Sequence, residues 1–264
     1  MANKGLFSWE GAMRISGDER QEAILREVMA RGQATVAELA DQLHVTTETI
    51  RKDLVALQER NAIEKGHGIV TLPTSFGDVP FAEKETVHRE EKAAIAQIAL
   101  GLIPAGSSVV LEASTTNLQL AKLLVMRDDL IVFTNSLSIC QTLAKSGNEL
   151  FMVGGAFRAR TNSCTGEWAQ NAMAGINVDV AFLSCDGISE NGPTATYQQL
   201  LGLDRMIIKH SRKTYMLMDT SKLAATGLYT VADFEDFDAF IFERPLSARE
   251  RGLLPDSLRV LPEV

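Results

Sequence analysis

From Asp18 the chain places apolar residues at helical spacing. Ile24, Leu25, Val28 and Met29 share one face, and Gly32 ends the run. In "TVAELADQL", Thr35 stands three residues before Glu38, which is the spacing of a capping box. Val36, Leu39, Ala40 and Leu43 form the buried side of the helix that follows. A third segment, "TTETIRKDLVAL", has Ile50, Leu54 and Leu57 at i, i+4 and i+7, with Thr46 as N-cap and an end near Arg60. Its other face carries Thr47, Glu48, Thr49, Arg51 and Lys52. β-Branched threonines are weaker helix formers than Glu or Lys, so three in one first turn are unusual for a plain solvated face. They suit a turn that meets phosphates or base edges, although a simple core helix satisfies the same stripe.

The period then changes. "NAIEKGHGIVTL" sets a Gly-His-Gly turn between Ile63 and the run Ile69, Val70, Leu72, which predicts a small hairpin. Three short helices and a hairpin in this span predict a winged helix-turn-helix over 17–72, after a loose arm at 1–16. "PTSFGDVP" holds two prolines and a glycine without a period, and a linker is placed at 73–83.

From 84 to 264 helix and strand alternate. Helices are predicted near 88–103, 116–126, 136–146, 167–175 and 196–211. The strand-like runs are "SVVLEA", "LIVFTN", "LFMVGG", "VAFLSC", "TYMLMD" and "AFIF". Short apolar strands between helices argue for a largely parallel sheet buried on both faces.

Ligands of such sheets bind beyond the carboxyl ends of the strands. There the chain offers Ser114, Thr115, Thr116 and Asn117; Asn135 and Ser136; Gly154 and Gly155; Asp186 and Gly187; and Asp219, Thr220, Ser221 and Lys222. Ser114–Thr116 opening a helix combines backbone N–H groups, hydroxyls and the positive end of a helix dipole, a seat for phosphate or carboxylate. Asn135 and Ser136 can donate to the same anion or to sugar hydroxyls, and Lys222 adds a point charge. Each of these residue types also caps helices, so it is the collective pattern that points to a site. Asp186 and Asp219 read as caps or polyol partners rather than catalytic carboxylates.

Composition narrows the classes. Apolar residues make up 45% and charged residues 23% of 264, ordinary globular values. The net charge of −8 gives no general nucleic-acid footprint. Residues 14–72 carry eight Lys/Arg against ten Asp/Glu, so DNA binding must rest on local geometry. No apolar run is long enough for a bilayer, and the first residues lack a signal-peptide pattern. Cys140, Cys164 and Cys185 lack CxxC spacing, which suits free thiols in a cytoplasmic protein. Cys185 reads as a small core residue. The four histidines, His44, His67, His88 and His210, have no metal-ligand spacing, and no P-loop, GxGxxG, HExxH or GxSxG is present. No cofactor or metal is expected.

"RQEAILREVMARGQATVAELADQLHVTTETIRKDLVALQERNAIEKGHG" closely resembles the N-terminal domain of DeoR-type transcriptional repressors, with their Val-Ser/Thr-x-x-Thr-Ile-Arg-Arg/Lys-Asp-Leu helix. "EEKAAIA", "VVLEASTT", "VFTNS", "GGAFR", "AFLSCDGI", "GPT" and "DTSK" follow in the order of that family's sensor domain. The resemblance covers roughly residues 18–245. It implies a winged helix joined to an α/β sensor domain similar to ribose-5-phosphate isomerase and CoA-transferase folds, and a homo-oligomer. It also implies an effector that is a phosphorylated sugar, sugar alcohol or related metabolite. The family's effector positions fall on Ser114, Thr115, Thr116, Asn135, Ser136, Gly154, Gly155, Asp186 and Lys222. Three departures stand out. Glu112-Ala113-Ser114-Thr115-Thr116 replaces Asp-x-Gly-Thr-Thr, which narrows the phosphate space. His67-Gly68-Ile69 replaces His-Gly-Gly in the wing. Gln198, Gln199 and Asp204-Arg205 stand where the family often has a Glu and a Lys/Arg pair.

If 46–54 is a recognition helix, Thr46, Thr47, Glu48 and Thr49 are candidates for base edges or nearby phosphates. Arg51 and Lys52 then anchor the backbone, although Arg can also read guanine bidentately, and His67 in the wing touches a neighbouring phosphate or the minor groove. Asp53 is expected to pair with a nearby arginine, since a carboxylate facing phosphate costs affinity. The expected protein is a repressor of carbohydrate genes that binds a duplex operator and is controlled by its effector. The rival reading is a sugar-phosphate isomerase, with Asp186, Asp219 and Lys222 as its candidate groups.

Overall fold

The computed structural model describes residues 16–31, 33–59, 62–66, 68–71 and 80–263. The chain divides into two compact units, Met1–Gly77 and Asp78–Val264. The arm at 1–15, the residues 72–79 and His67 lie outside the described residues.

The first unit contains α1 (Gly17–Arg31), β1 (Gln33–Thr35), α2 (Val36–Gln42), α3 (Thr47–Glu59), β2 (Glu64–Gly66) and β3 (Ile69–Thr71). Each helix start is fixed by a side chain. Ser16 and Glu19 satisfy one another's amides, with Glu19 N–H to Ser16 Oγ at 3.3 Å and Ser16 N–H to Glu19 Oε2 at 2.9 Å. Thr35 and Glu38 form the predicted capping box. Thr46 Oγ1 accepts from Thr49 N–H at 3.2 Å. The apolar stripes meet as their spacing predicts: Ile24, Val28, Leu39, Ile50, Leu54 and Leu57 are buried together with Ile63 and Val70. The hairpin is present as β2 against β3. β1 adds a third strand on the other side of β3, giving the order β1-β3-β2. Three residues such as "QAT" carry no readable period, and only pairing with a segment some 35 residues later makes them a strand. Gly68 turns the hairpin at φ +81°.

In the second unit, residues 81–83 of the expected linker belong to a helix, α4 (Phe81–Thr86). One and a half turns after a proline carry too little period to be read. There follow α5 (Arg89–Leu100), β4 (Ser108–Leu111), α6 (Thr115–Leu124), β5 (Ile131–Thr134), α7 (Leu137–Leu143), β6 (Glu149–Met152), β7 (Ala156–Arg158), β8 (Ser163–Thr165), α8 (Glu167–Ala174), β9 (Val178–Ser184), β10 (Gly187–Ser189), β11 (Gly192–Ala195), α9 (Gln198–Lys209), β12 (Ser211–Leu217), β13 (Tyr229–Thr230), β14 (Ala239–Ile241), α10 (Ala248–Arg251) and β15 (Val260–Leu261).

All six apolar runs are strands of one parallel sheet, with the order β15-β14-β12-β9-β4-β5-β6. Successive side chains serve opposite faces. Val109 and Leu111 pack with Ile95, Leu120 and Leu124 from α5 and α6, while Val110 packs with Met173 and Ile207 from α8 and α9. Such a strand reads as an unbroken apolar run. From β4 the chain winds outward through β5 and β6, then returns to β9 on the other side of β4 and winds away through β12, β14 and β15. The direction of winding therefore reverses between β4 and β9, and ligand sites of open α/β sheets form at such a reversal. A small antiparallel sheet, β10-β11-β13, and the hairpin β7-β8 are further strands of this unit. Among the described residues, no helix is long and apolar enough to cross a membrane.

Candidate functional site

In the first unit, α3 buries Ile50, Asp53, Leu54 and Leu57 and exposes Thr47, Glu48, Arg51 and Lys52. The Thr46 and Thr49 hydroxyls lie 2.9 Å apart at the helix start, so both are drawn into capping. Glu48 and Arg51 form a loose surface pair at 3.5 Å. Asp53 is 5% exposed and takes a two-pronged bond from Arg20 on α1, at 2.5 Å from Nε and 2.9 Å from Nη2. It therefore points away from the solvent face and ties α3 to α1, the pairing expected of it.

In the second unit, a cavity partly open to solvent lies where the winding reverses. Its walls come from the ends of β4 (Glu112, Ser114, Thr115) and β9 (Ser184, Asp186). Lys222, beyond β12, and Lys84 on α4 complete the polar wall, and Asp204 and Leu200 of α9 and Tyr197 face them. The structure thus gathers Ser114, Thr115, Asp186 and Lys222 around one space. Thr116, Asn135, Ser136, Gly154 and Gly155 do not line it.

Four of those five have other work close by, and at Gly154 an added Cβ would meet nothing within 4 Å. Asn135, nearly fully buried, accepts from Ala113 N–H at 2.8 Å and donates to the Cys164 carbonyl at 3.0 Å, which locks the end of β4 to its neighbours. Ser136 caps α7. Thr116 is buried in the first turn of α6. A Cβ on Gly155 would stand 2.4 Å from the Thr165 carbonyl oxygen, so that glycine permits a close backbone approach. Asn117 extends the lock, donating to the carbonyls of Glu112 at 2.8 Å and Phe182 at 2.9 Å. The 112–115 segment is therefore held rigidly. Ser114 Oγ caps α6 by accepting from Asn117 N–H at 3.0 Å, and the first-turn amides of that helix have no intrahelical acceptor.

The cations are placed by short bonds. Lys222 Nζ donates to Ser184 Oγ at 3.2 Å and to the Cys185 carbonyl at 2.5 Å. Lys84 Nζ meets Asp186 Oδ1 at 3.1 Å, and Asp186 Oδ2 accepts from Thr196 N–H at 2.9 Å. Burial works to raise the Asp186 pKa, but Lys84, Lys222 and the amide prevail and hold it at about 2. Behind them the buried Lys92 donates to the carbonyls of Lys84 and Val87, and burial with repulsion from Lys222 lowers its pKa to about 8. Asp219 caps the 3-10 turn Thr220–Ala224. Burial and the charge of Asp186 raise Asp204 to about 7. Burial, Asp204 and Asp186 raise Glu112 well above the carboxylate range, against an opposing pull from Lys222.

Lys84, Glu112, Asp204 and Tyr197 were not among the expected site residues. Lys84 lies in a helix that the chain pattern hid. Glu112 and Asp204 were visible only as departures from a familiar pattern. Cys185 is a buried core residue, as expected, and burial pushes its thiol up to about 12. Among the described residues, no group of histidine, cysteine and carboxylate side chains could hold a metal ion.

Comparison with known proteins finds two family matches, to the "DeoR-like helix-turn-helix domain" over residues 20–76 and the "DeoR C terminal sensor domain" over residues 87–244. The chain is 30% identical to an uncharacterized HTH-type transcriptional regulator, YgbI of Escherichia coli, over 92% of this chain and 96% of that one. It is 32% identical to the HTH-type transcriptional repressor GlcR of Bacillus subtilis, over 86% and 88%. It is 28% identical to the glycerol-3-phosphate regulon repressor of Escherichia coli, over 90% and 95%. Among solved structures, ribose 5-phosphate isomerase A of Methanocaldococcus jannaschii aligns with 52% of this chain and 55% of its own at 15% identity and a TM-score of 0.38.

Proposed function

Because the chain belongs to the DeoR family of helix-turn-helix transcriptional regulators, we propose that it represses genes of carbohydrate metabolism and is released from its operator by a phosphorylated small molecule. The observation that carries the effector half is the cavity at the reversal of winding. There the α6 start and Lys222 converge on one space with a fixed backbone around it. Amide donors, a helix dipole and a fixed cation suit a phosphate monoester, and the open side of the cavity leaves the rest of such a ligand a way out to solvent. That relatives in the same family are named repressors, one of a glycerol-3-phosphate regulon, supports the same reading.

The operator half rests on α3. In the helix-turn-helix docking mode, Thr47 and Glu48 reach base edges while Arg51 and Lys52 hold phosphates. Thr46 and Thr49 place the first turn, and His67 belongs to the wing contact. With no positive excess in residues 14–72, single-site affinity is modest, and a homo-oligomer binding repeated sites supplies avidity. The units divide as DNA-binding (17–72) and effector-binding (84–264) domains of a cytoplasmic protein. The chain is a regulator and not an isomerase. Of the carboxylates offered to that chemistry, Asp186 is ion-paired and held at about 2, and Asp219 is spent on a cap.

The test is fluorescence anisotropy of duplex DNA from upstream of the protein's own gene against an unrelated duplex, at one fixed salt. Tight binding to the first alone, relieved by a phosphorylated sugar, is the expected result. Equal and feeble binding to both duplexes refutes the operator half. A ligand that binds without altering operator affinity refutes the control.

A further inference from the structure

The cavity has a polar feature that the phosphate seat does not use. Asp204 and Glu112 each retain only 4% of their exposure, and both line the space. Asp204 Oδ1 is buried without a hydrogen-bond partner. Among the described residues, no cation lies within ion-pair distance of either carboxyl. Lys84 is paired with Asp186, and Lys222 is bonded to Ser184 and the Cys185 carbonyl. Arg205 turns away, donating to the carbonyls of Val231 and Thr230. Glu112 has a backbone donor in Ser184, so it is Asp204 that is left short of one, and native proteins rarely leave a buried carboxyl oxygen unpartnered unless something else completes it.

Charge bookkeeping sharpens the point. The lysines that act here are Lys84, Lys92 and Lys222, and the acids are Glu112, Asp186, Asp204 and Asp219. Arg205 also acts on Asp204, and with Asp204 and Glu112 raised the pair is largely protonated near neutrality; a phosphate dianion keeps it so, unless the ligand brings a cation of its own. A hydroxyl can fill one lone pair of Asp204 but leaves both carboxyls uncompensated. An ammonium group fills the lone pair and neutralises charge at once.

We propose that Asp204 and Glu112 form a subsite for a protonated amine, so that the effector is a phosphorylated amino compound, in the size range of an amino sugar phosphate. This rests on the reading above that the cavity takes a phosphorylated ligand. The phosphate sits at the Ser114–Thr115 helix start near Lys222, and the amine donates to the carboxyls of Asp204 and Glu112 where they line the cavity. No bond is made or broken. Because the amine favours the ionised pair, its binding at neutral pH releases protons from Asp204 and Glu112. A hydroxyl ligand has the opposite linkage, since its phosphate favours the protonated pair.

The experiment is calorimetric titration of the full chain at pH 7 in two buffers of different ionisation enthalpy. The probes are matched pairs differing only in amine or hydroxyl: glucosamine 6-phosphate and glucose 6-phosphate, galactosamine 6-phosphate and galactose 6-phosphate, and phosphoethanolamine and 2-hydroxyethyl phosphate. Inorganic phosphate reports on the phosphate seat alone. The expected result is that at least one amine binds about ten- to a hundredfold tighter than its hydroxyl twin, the worth of a charge-assisted hydrogen bond, with proton release. Asp204→Asn should erase the preference while inorganic phosphate binds at least as tightly as to the wild type, and Glu112→Gln should weaken the preference. Hydroxyl twins that bind as tightly or tighter in every pair, or a preference that survives Asp204→Asn, overturn the amine subsite and leave the phosphate seat standing. Failure of inorganic phosphate and of every phosphorylated probe to bind removes the phosphate seat, and the subsite with it.

Discussion

Replacing Asp53 with alanine tests whether the recognition helix is held in place by one buried ion pair. The wild-type carboxylate receives both prongs of Arg20, at 2.5 and 2.9 Å, and the side chains keep only 15% (Arg20) and 7% (Asp53) of their exposure. Removing one partner of such a pair leaves the other charge half-desolvated, and that typically costs about 3–5 kcal/mol. Some solvent reaches Arg20, so we take about 3 kcal/mol for D53A. That is a large share of the stability available to a unit this small. Hydrogen exchange of the full chain, read by mass spectrometry on peptides from α3, measures the effect without isolating the unit. Where exchange reports the opening equilibrium, about 3 kcal/mol becomes roughly a hundredfold faster exchange in α3. Peptides from β4 and β9 should be unchanged. Replacing both partners by leucine should recover most of the loss, since an apolar pair leaves no orphaned charge. The reasoning fails if D53A accelerates α3 by less than about fivefold, because the pair is then worth no more than an exposed one. It also fails if the double replacement is as damaging as the two single ones added together.

Asp204→Asn should stabilise the ligand-free protein at pH 8 and have little effect at pH 4. A carboxyl whose pKa is raised to about 7 by folding loses stability as pH climbs from its unfolded value towards 7. A thermal melt of wild type and variant at the two pH values decides it, and a variant that is less stable at pH 8 contradicts the assignment. Lys92 titrates in the opposite sense. Its folded pKa of about 8 lies below the unfolded value, so its contribution becomes more favourable as pH rises from 8 towards 10.5, and K92M should flatten that slope in the same melts. Lys52→Ala should weaken binding to every duplex alike and reduce the slope of log affinity against log salt by about 1. A change of sequence preference would instead place Lys52 on a base edge.

The first unit was legible because its determinants are local. Thr35 with Glu38 and Thr46 with Thr49 act within one turn, and the stripe Ile50, Leu54, Leu57 is a period that survives in the sequence. The six runs of the parallel sheet were legible for the same reason, since burial on both faces leaves an unbroken apolar word. What escaped were elements without a period of their own: β1, α4, the small antiparallel strands and β15. Each is two to six residues long and owes its conformation to partners far along the chain.

The chain alone therefore determined the kind of protein, two units of known pattern with polar strand ends, because residue spacing along one element is a local quantity. It also marked Ser114, Thr115, Asp186 and Lys222, which do meet around one cavity. Only the tertiary structure decided that Asn135, Ser136 and Gly155 hold the backbone of that cavity without lining it. Only the tertiary structure brought Lys84 from before β4, Glu112 from its end and Asp204 from α9 to the same walls. Which polar group faces a ligand and which is consumed by a neighbour depends on the strand order β12-β9-β4-β5. That order is fixed by pairing between segments up to about seventy residues apart, a separation across which no periodicity extends.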